Sequence, residues 1–296
     1  MGYPTTDVVF GLKEGGAYQS YQGGAIIWTP SYGPRVSVGA IRDVWASTGF
    51  EHGTLGYPTS DEYAVPGGVA QNYQGGVITS TAAGTFVVNG AIFQKYDAMG
   101  RALGYPASRQ TGIKDGGVYQ NFQYGSLLWS PATGAHVSAG ATRGAWALTG
   151  FENGYLGYPT GDEISVAGGV TQTYQGGAIY WTAGLGAYSM AADYNAKFET
   201  VGGLSALGFP ATNRVTGLKD GGAYTNFQKG ALISSPATGV HLSTGATRDA
   251  WAGTGFEGGR LGYPTTDNYV TADGSTVQDF QGGRITISKD GTARIE

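Results

Sequence analysis

The side chains of this 296-residue chain that could do chemistry recur at similar offsets from one tetrapeptide. Acids stand three residues after its proline, at Asp7, Asp61, Asp162 and Asp267, and tryptophans follow in a short strand-like run, at Trp28, Trp129 and Trp181. A carboxylate can accept two hydroxyl hydrogen bonds. An exposed indole can lie against the apolar face of a sugar ring while polar neighbours bond its hydroxyls. These residue types suit recognition of a neutral, polyhydroxylated ligand. Each also has an architectural reading: an Asp beside a turn closes an Asx-turn, and a recurring aromatic belongs to the core.

Bond-breaking chemistry has less support. The pairs Asp61-Glu62 and Asp162-Glu163 suggest a glycosidase acid and base. Adjacent residues on a strand point to opposite faces, so neither pair can flank one glycosidic bond. Only three histidines exist, and His136 and His241 occupy equivalent repeat positions, which suits a structural role. No Gly-x-Ser-x-Gly elbow, His-Glu-x-x-His pair or phosphate loop is found. Cysteine is absent, so neither a disulfide nor a thiolate metal site can form. The expectation is a non-enzyme with no catalytic residue, metal or cofactor.

Composition narrows the partners. Charged residues are 13% of the chain and the net charge is -4, with no basic stripe, so nucleic acid is excluded as a partner. No apolar run approaches the 18 residues or so of a membrane-spanning helix. The N-terminus carries no signal peptide. Since the chain opens inside a repeat, the expectation is a domain excised from an exported protein.

The elements that position these residues are repeats. The tetrapeptide is Leu-Gly-Tyr-Pro at Leu55–Pro58, Leu103–Pro106, Leu156–Pro159 and Leu261–Pro264, Leu-Gly-Phe-Pro at Leu207–Pro210, and Met1-Gly2-Tyr3-Pro4 at the start. Its prolines are 54, 48, 53, 51 and 54 residues apart, by subtraction of their positions. Periods near 50 indicate a repeat array or propeller. The bounds are 1–54, 55–102, 103–155, 156–206, 207–260 and a truncated 261–296, read as one repeat domain. In repeat one, Val8-Val9-Phe10 is strand-like, Ala17–Gln22 alternates as a strand, Gly23-Gly24 makes a hairpin turn, Ala25–Trp28 returns, and Arg35–Val38 is a further strand. A short helix over Ala40–Thr48 follows, with Ile41 and Trp45 on one face. Its aromatic recurs at Tyr96, Trp146, Phe198 and Trp251. Gly and Pro make the tetrapeptide a joint between units, with Leu and Tyr packed into neighbours. A second period pairs the repeats: one, three and five are alike, and two and four are alike. Neither end reads as a polar cap, which points to a closed ring.

The motifs together resemble the LGFP repeat family. They are Leu-Gly-Tyr/Phe-Pro-Thr-x-Asp, Gly-Gly-x-x-Gln-x-Tyr/Phe-Gln-x-Gly, the run Trp129–His136, and Gly-Ala-x-Arg-x-x-Trp. The resemblance covers essentially the whole chain. It implies an extracellular, cell-wall module of mycolate-containing actinobacteria, often appended to mycolyltransferases, esterases or amidases, that tethers them by binding arabinogalactan. It also implies a mainly β fold with short helices, as a closed propeller-like ring of about five pseudo-symmetric repeats, each with three strands and one helix. The departures are Ser80-Thr81-Ala82 in repeat two and Ser234 in repeat five, where other repeats carry the tryptophan. The resulting expectation is a non-catalytic cell-wall glycan-binding module with sites at Trp28, Trp129, Trp181, Asp7, Asp61, Asp162 and Asp267. A structural or protein-interaction scaffold of the envelope is the alternative, ahead of a wall hydrolase.

Overall fold

The computed structural model describes residues 1–296. The chain divides into two compact units, Met1–Ala139 and Gly140–Glu296. The division falls inside repeat three. Six four-stranded antiparallel sheets form, one per repeat, each with strands in chain order. The count of five expected from the family gives way to six, because the truncated last repeat still completes its sheet, with Ala293–Ile295 as the outer strand. Each sheet also has four strands where three were expected.

Repeat one shows how the residues make the sheet. Its strands are β1 (Val9–Phe10), β2 (Ala17–Tyr21), β3 (Gly24–Thr29) and β4 (Gly33–Val38). Tyr21 pairs with Gly24, so the turn residues are Gln22 and Gly23, one position earlier than the Gly-Gly pattern predicts. The glycine need falls on Gly24, at φ +151°, where an added Cβ would lie 2.5 Å from the Ser37 carbonyl oxygen. Pairing of Tyr18 with Ile27 and Ser20 with Ala25 puts those four on one face. Gln19, Tyr21, Ile26 and Trp28 take the other.

A nine-residue helix follows each of the first five sheets: α1 (Gly39–Ser47), α2 (Gly90–Ala98), α3 (Gly140–Leu148), α4 (Ala192–Thr200) and, after the five-residue α5 (Gly203–Leu207), α6 (Gly245–Gly253). Ile41 and Trp45 of α1 are both 1% exposed, as their i, i+4 spacing requires. The core consists of repeated small clusters. Ala25, Ile27, Ile41 and Trp45 of repeat one pack with Leu55, Tyr57, Tyr73 and Ile78 of repeat two. In the second unit Ile233 and Trp251 pack with Leu261, Tyr263, Phe280 and Ile285 in the same way. No helix is long and apolar enough to cross a membrane.

Candidate functional site

The tetrapeptide is the joint between repeats. Its leucines are at most 5% exposed from Leu55 to Leu261. Its glycine carbonyls accept a hydrogen bond from the preceding helix: Trp45 Nε1 to Gly56 at 3.0 Å, Tyr96 Oη to Gly104 at 2.8 Å, Trp146 Nε1 to Gly157 and Trp251 Nε1 to Gly262 at 3.1 Å. Gly56 sits at φ +64°, and a Cβ there would meet Gln74 Oε1 at 2.3 Å. That glutamine recurs in all six hairpins, and its Oε1 accepts the backbone N–H of the motif aromatic, at 2.8–3.1 Å. Each motif proline bridges to the aromatic that ends the first hairpin strand. The helix aromatic then packs on that residue in the next repeat, stacked for Tyr96–Phe122 at 4.7 Å and tilted for Trp45–Tyr73 at 5.7 Å and Trp251–Phe280 at 5.4 Å between centroids. The tyrosine hydroxyl reaches back one repeat. Tyr57 donates to the Lys13 carbonyl at 2.6 Å and Tyr263 to Lys219 at 2.5 Å. Burial, then the charges of Glu51 and Glu14, push the Tyr57 phenol up to about 12.

Two of the predicted acids belong to the same joint. Asp61 Oδ1 accepts the Val36 N–H at 2.8 Å, and Asp267 Oδ1 accepts the Leu242 N–H at 2.8 Å. Asn213 does the same for Ser189, at 2.9 Å, in the corresponding position of repeat five. Burial works against the Asp267 charge. Bonds from the neighbouring His241, the Leu242 N–H and Lys197 outweigh it and hold the carboxyl below the usual carboxylate range. Asp162 is half-buried and engaged, whereas Asp7 is exposed. Turn chemistry was the plain expectation for these acids, but Asp61 and Asp267 clamp a strand of the preceding repeat.

The tryptophans separate as well. Trp28 is 42% exposed, while Trp129 and Trp181 are half-buried, with Trp129 against the cluster of Ala70, Val77 and Tyr96. Trp28 lies on the sheet face opposite Tyr18 and Ile27. Thus the structure does not gather the predicted residues into one site.

It gathers a different set, which recurs in repeats one and five. In repeat one Tyr18, Ser20 and Ile27 from the sheet, Arg42 from α1, and Phe50 and Glu51 from the turn after it line a cleft of about 280 Å³, with Trp45 at its base. In repeat five the equivalents are Tyr224, Asn226, Ile233, Arg248, Phe256 and Glu257 over Trp251, around about 240 Å³. Phe50 and Phe256 stand edge-on to the tryptophan, at 5.0 Å, and each guanidinium lies over the phenylalanine ring, at 5.4 and 5.5 Å. Such a contact is favourable for a partly desolvated cation. Phe50, Phe151 and Phe256 hold φ near +52° (51, 53 and 52), a strained conformation for a bulky residue and one that persists where surroundings impose it. Neither arginine forms an ion pair. Arg42 Nη1 lies 3.4 Å from Ser37 Oγ, and Arg248 reaches only Ser243 Oγ at 3.4 Å and Asn226 Oδ1 at 3.5 Å. Burial lowers the Arg248 pKa. Glu51 is 7% exposed.

The even repeats fill the same place with their own side chains. In repeat two the Arg–Phe pair is exchanged: Phe93 takes the place of Arg42 and Arg101 that of Phe50. Arg101 donates to Tyr63 Oη at 2.9 Å and Asn72 Oδ1 at 3.2 Å, and pairs with Asp97 at 3.0 Å. In repeat four Tyr180 stands where Ile27 does, and its hydroxyl donates to Asn195 Oδ1 at 2.8 Å and Glu199 Oε1 at 3.1 Å. The odd-numbered residue types recur in repeat three as Tyr119, Asn121, Leu128, Arg143, Phe151 and Glu152. Sequence reasoning missed this set. Its signal was Thr-Gly-Phe-Glu at Thr48–Glu51, Thr149–Glu152 and Thr254–Glu257, confined to the odd repeats.

The sequence profile of the LGFP repeat matches residues 1–53, 55–102, 103–154, 156–205, 207–259 and 261–295. No curated protein matches the chain. Among solved structures it is similar to the extracellular domain of a one-component system of B. thetaiotaomicron, at 11% identity over 98% of this chain and 42% of that one, with a TM-score of 0.16. PorZ, a surface component of the type-IX secretion system of Porphyromonas gingivalis, matches at 10% identity over 100% of this chain and 33% of its own, with a TM-score of 0.15. The chain spans less than half the length of these two, and likenesses at such scores carry no argument about function.

Proposed function

The chain belongs to the LGFP repeat family, and on that premise we propose that it is a non-catalytic, multivalent module that binds a neutral cell-wall glycan of the arabinogalactan class outside the cell. The observation that carries this reading is the recurrence, in repeats one and five, of one open cleft with the same aromatic, guanidinium, carboxylate and neutral polar groups. An active site has no need of copies, whereas several weak sites on one chain raise avidity steeply. The low charge of the chain suits a neutral ligand. Trp28 and Asp7, both exposed, are candidate contacts outside the clefts; Trp129, Trp181 and Asp162 are less accessible, and Asp61 and Asp267 have their carboxylates engaged. Ring closure of the six sheets, which the resemblance implies, is part of this proposal. A closed-array profile in solution scattering supports it, and an extended one removes it. A fused or associated mycolyltransferase or esterase is the cargo the family suggests.

The direct test is retention of the intact chain on insoluble arabinogalactan, with peptidoglycan as the second matrix. Retention on arabinogalactan that soluble arabinan displaces is the expected result; passage through both matrices overturns the reading. The second reading, a protein-interaction scaffold of the envelope, is favoured by the aromatics exposed on repeat one: Tyr3 at 80%, Phe10 at 77% and Trp28 at 42%. It gains if Trp28→Ala abolishes envelope binding while soluble glycans displace nothing.

A further inference from the structure

The filled clefts describe what the open ones lack. In repeat four the filler is a six-membered ring bearing a hydroxyl, the Tyr180 phenol, 5% exposed. Its oxygen lies 2.8 Å from the side chain at the Arg42 position, Asn195, and 3.1 Å from the Glu199 carboxylate. In repeat two the Arg101 guanidinium takes a phenol oxygen, an amide oxygen and a carboxylate, so this place in the fold supplies acceptors to a cation. The open clefts have no phenol at that strand position, where Ile27 and Ile233 stand instead, and their arginines have only long contacts, to Ser37 Oγ at 3.4 Å for Arg42 and to Ser243 Oγ at 3.4 Å and Asn226 Oδ1 at 3.5 Å for Arg248, and no carboxylate. What remains is one cation and one carboxylate facing a single cavity without pairing with each other; in repeat one Glu51 Oε1 lies 3.3 Å from the ring of the exposed His52, which leaves its second oxygen for a ligand.

We infer that each open cleft takes one ring of a neutral glycan by a vicinal pair of hydroxyls, one accepting from Arg42 or Arg248 and the other donating to Glu51 or Glu257. The ring's C–H face packs on Ile27 and Phe50, or Ile233 and Phe256. An anionic sugar would meet the glutamate and a cationic one the arginine, so a neutral diol is the ligand that satisfies both groups. Repeats two and four bind nothing there, because Arg101 and Tyr180 occupy the place. The number of sites therefore follows the open clefts of repeats one and five and not the number of tetrapeptides. This inference rests on the glycan-binding reading and specifies its ligand chemistry.

The test is calorimetric titration of the intact chain with a neutral arabino-oligosaccharide. Parallel arms use the same oligosaccharide after periodate cleavage and borohydride reduction, which destroy vicinal diols, an oligogalacturonate, and free D-alanine as a zwitterion. The expected result is binding of the neutral oligosaccharide alone, little changed by salt. Affinity falls about tenfold or more in both Arg42→Gln/Arg248→Gln and Glu51→Gln/Glu257→Gln, whose thermal unfolding stays that of the parent chain. The inference is overturned if the periodate-treated sugar binds as well as the untreated one. Tighter binding of the oligogalacturonate that improves in the Glu→Gln variant also overturns it, as does competition by D-alanine. Retention on arabinogalactan that persists in both double variants overturns the clefts alone, whereas no retention of the parent chain overturns the glycan reading itself.

Discussion

The joints and the clefts of this chain lie a few residues apart and follow opposite rules. The joint is almost the same in every repeat. The hairpin glutamine caps the motif N–H six times, and the proline bridge recurs six times. The cleft alternates, open in repeats one and five and filled in two and four. Uniformity is what packing demands, because each unit must bury the next unit's face. Alternation has no packing cause, since Tyr180 and Arg101 show that this fold can close the place and satisfy its polar groups. A place that could be closed and is left open, with an unpaired guanidinium over a strained phenylalanine, is where function is to be sought.

The comparison can be broken by substitutions on either side of it. The largest effect belongs to a joint aromatic. Trp251→Ala removes a fully buried ring and the bond to Gly262, at a cost of about 3–5 kcal/mol in urea unfolding of the second unit, whereas Trp28→Ala costs about 0.5 kcal/mol or less. A smaller joint effect comes from Gly222→Ala, whose Cβ would lie 2.0 Å from Tyr263 Oη. We expect a loss of about 1–3 kcal/mol, and Tyr263→Phe in the same chain should recover part of it, giving a non-additive cycle. The filled and open clefts are compared directly by two arginines. Arg101→Ala strips a paired guanidinium and should cost about 1–2 kcal/mol, while Arg42→Ala should change stability by less than about 0.5 kcal/mol. Equal losses would mean that the open cleft is merely structural.

The smallest effect expected at a joint is pH-dependent. The folded Asp267 pKa lies below its unfolded value of about 3.9. Its contribution is therefore present above about pH 4 and lost as pH falls through the folded pKa, because the unfolded chain binds the proton first. Partial exposure of both partners limits it to about 1 kcal/mol. Acid titration of Asp267→Asn should lack this component, and an unchanged acid limb in that variant would show that the joint acid is idle.

Much of the joint was legible in the sequence. The fixed spacing of Leu-Gly-Tyr-Pro, the hairpin aromatic and the helix aromatic marks contacts that every unit must make, and period alone finds these. The strand with Trp28 and the helix with Trp45 were legible as well. Three things were not. Gln22 was read as the end of a strand because nothing local says that its side chain caps a chain segment 19 positions away. Asp61 and Asp267 read as turn acids because their partners lie 25 residues back in the preceding repeat. The cleft was hidden because the residues that make it vary between repeats, and a search for sameness passes over them. The exchange of Arg42 and Phe50 for Phe93 and Arg101 is visible in sequence only once the fold shows that the two positions touch.

The most direct test of the account is a crystal of the intact chain soaked with a neutral arabino-oligosaccharide. The account predicts one sugar ring between Arg42 and Glu51 and another between Arg248 and Glu257, with the places held by Arg101 and Tyr180 unchanged. Sugar stacked on Trp28 with both clefts empty, or bound alike in odd and even repeats, would contradict it.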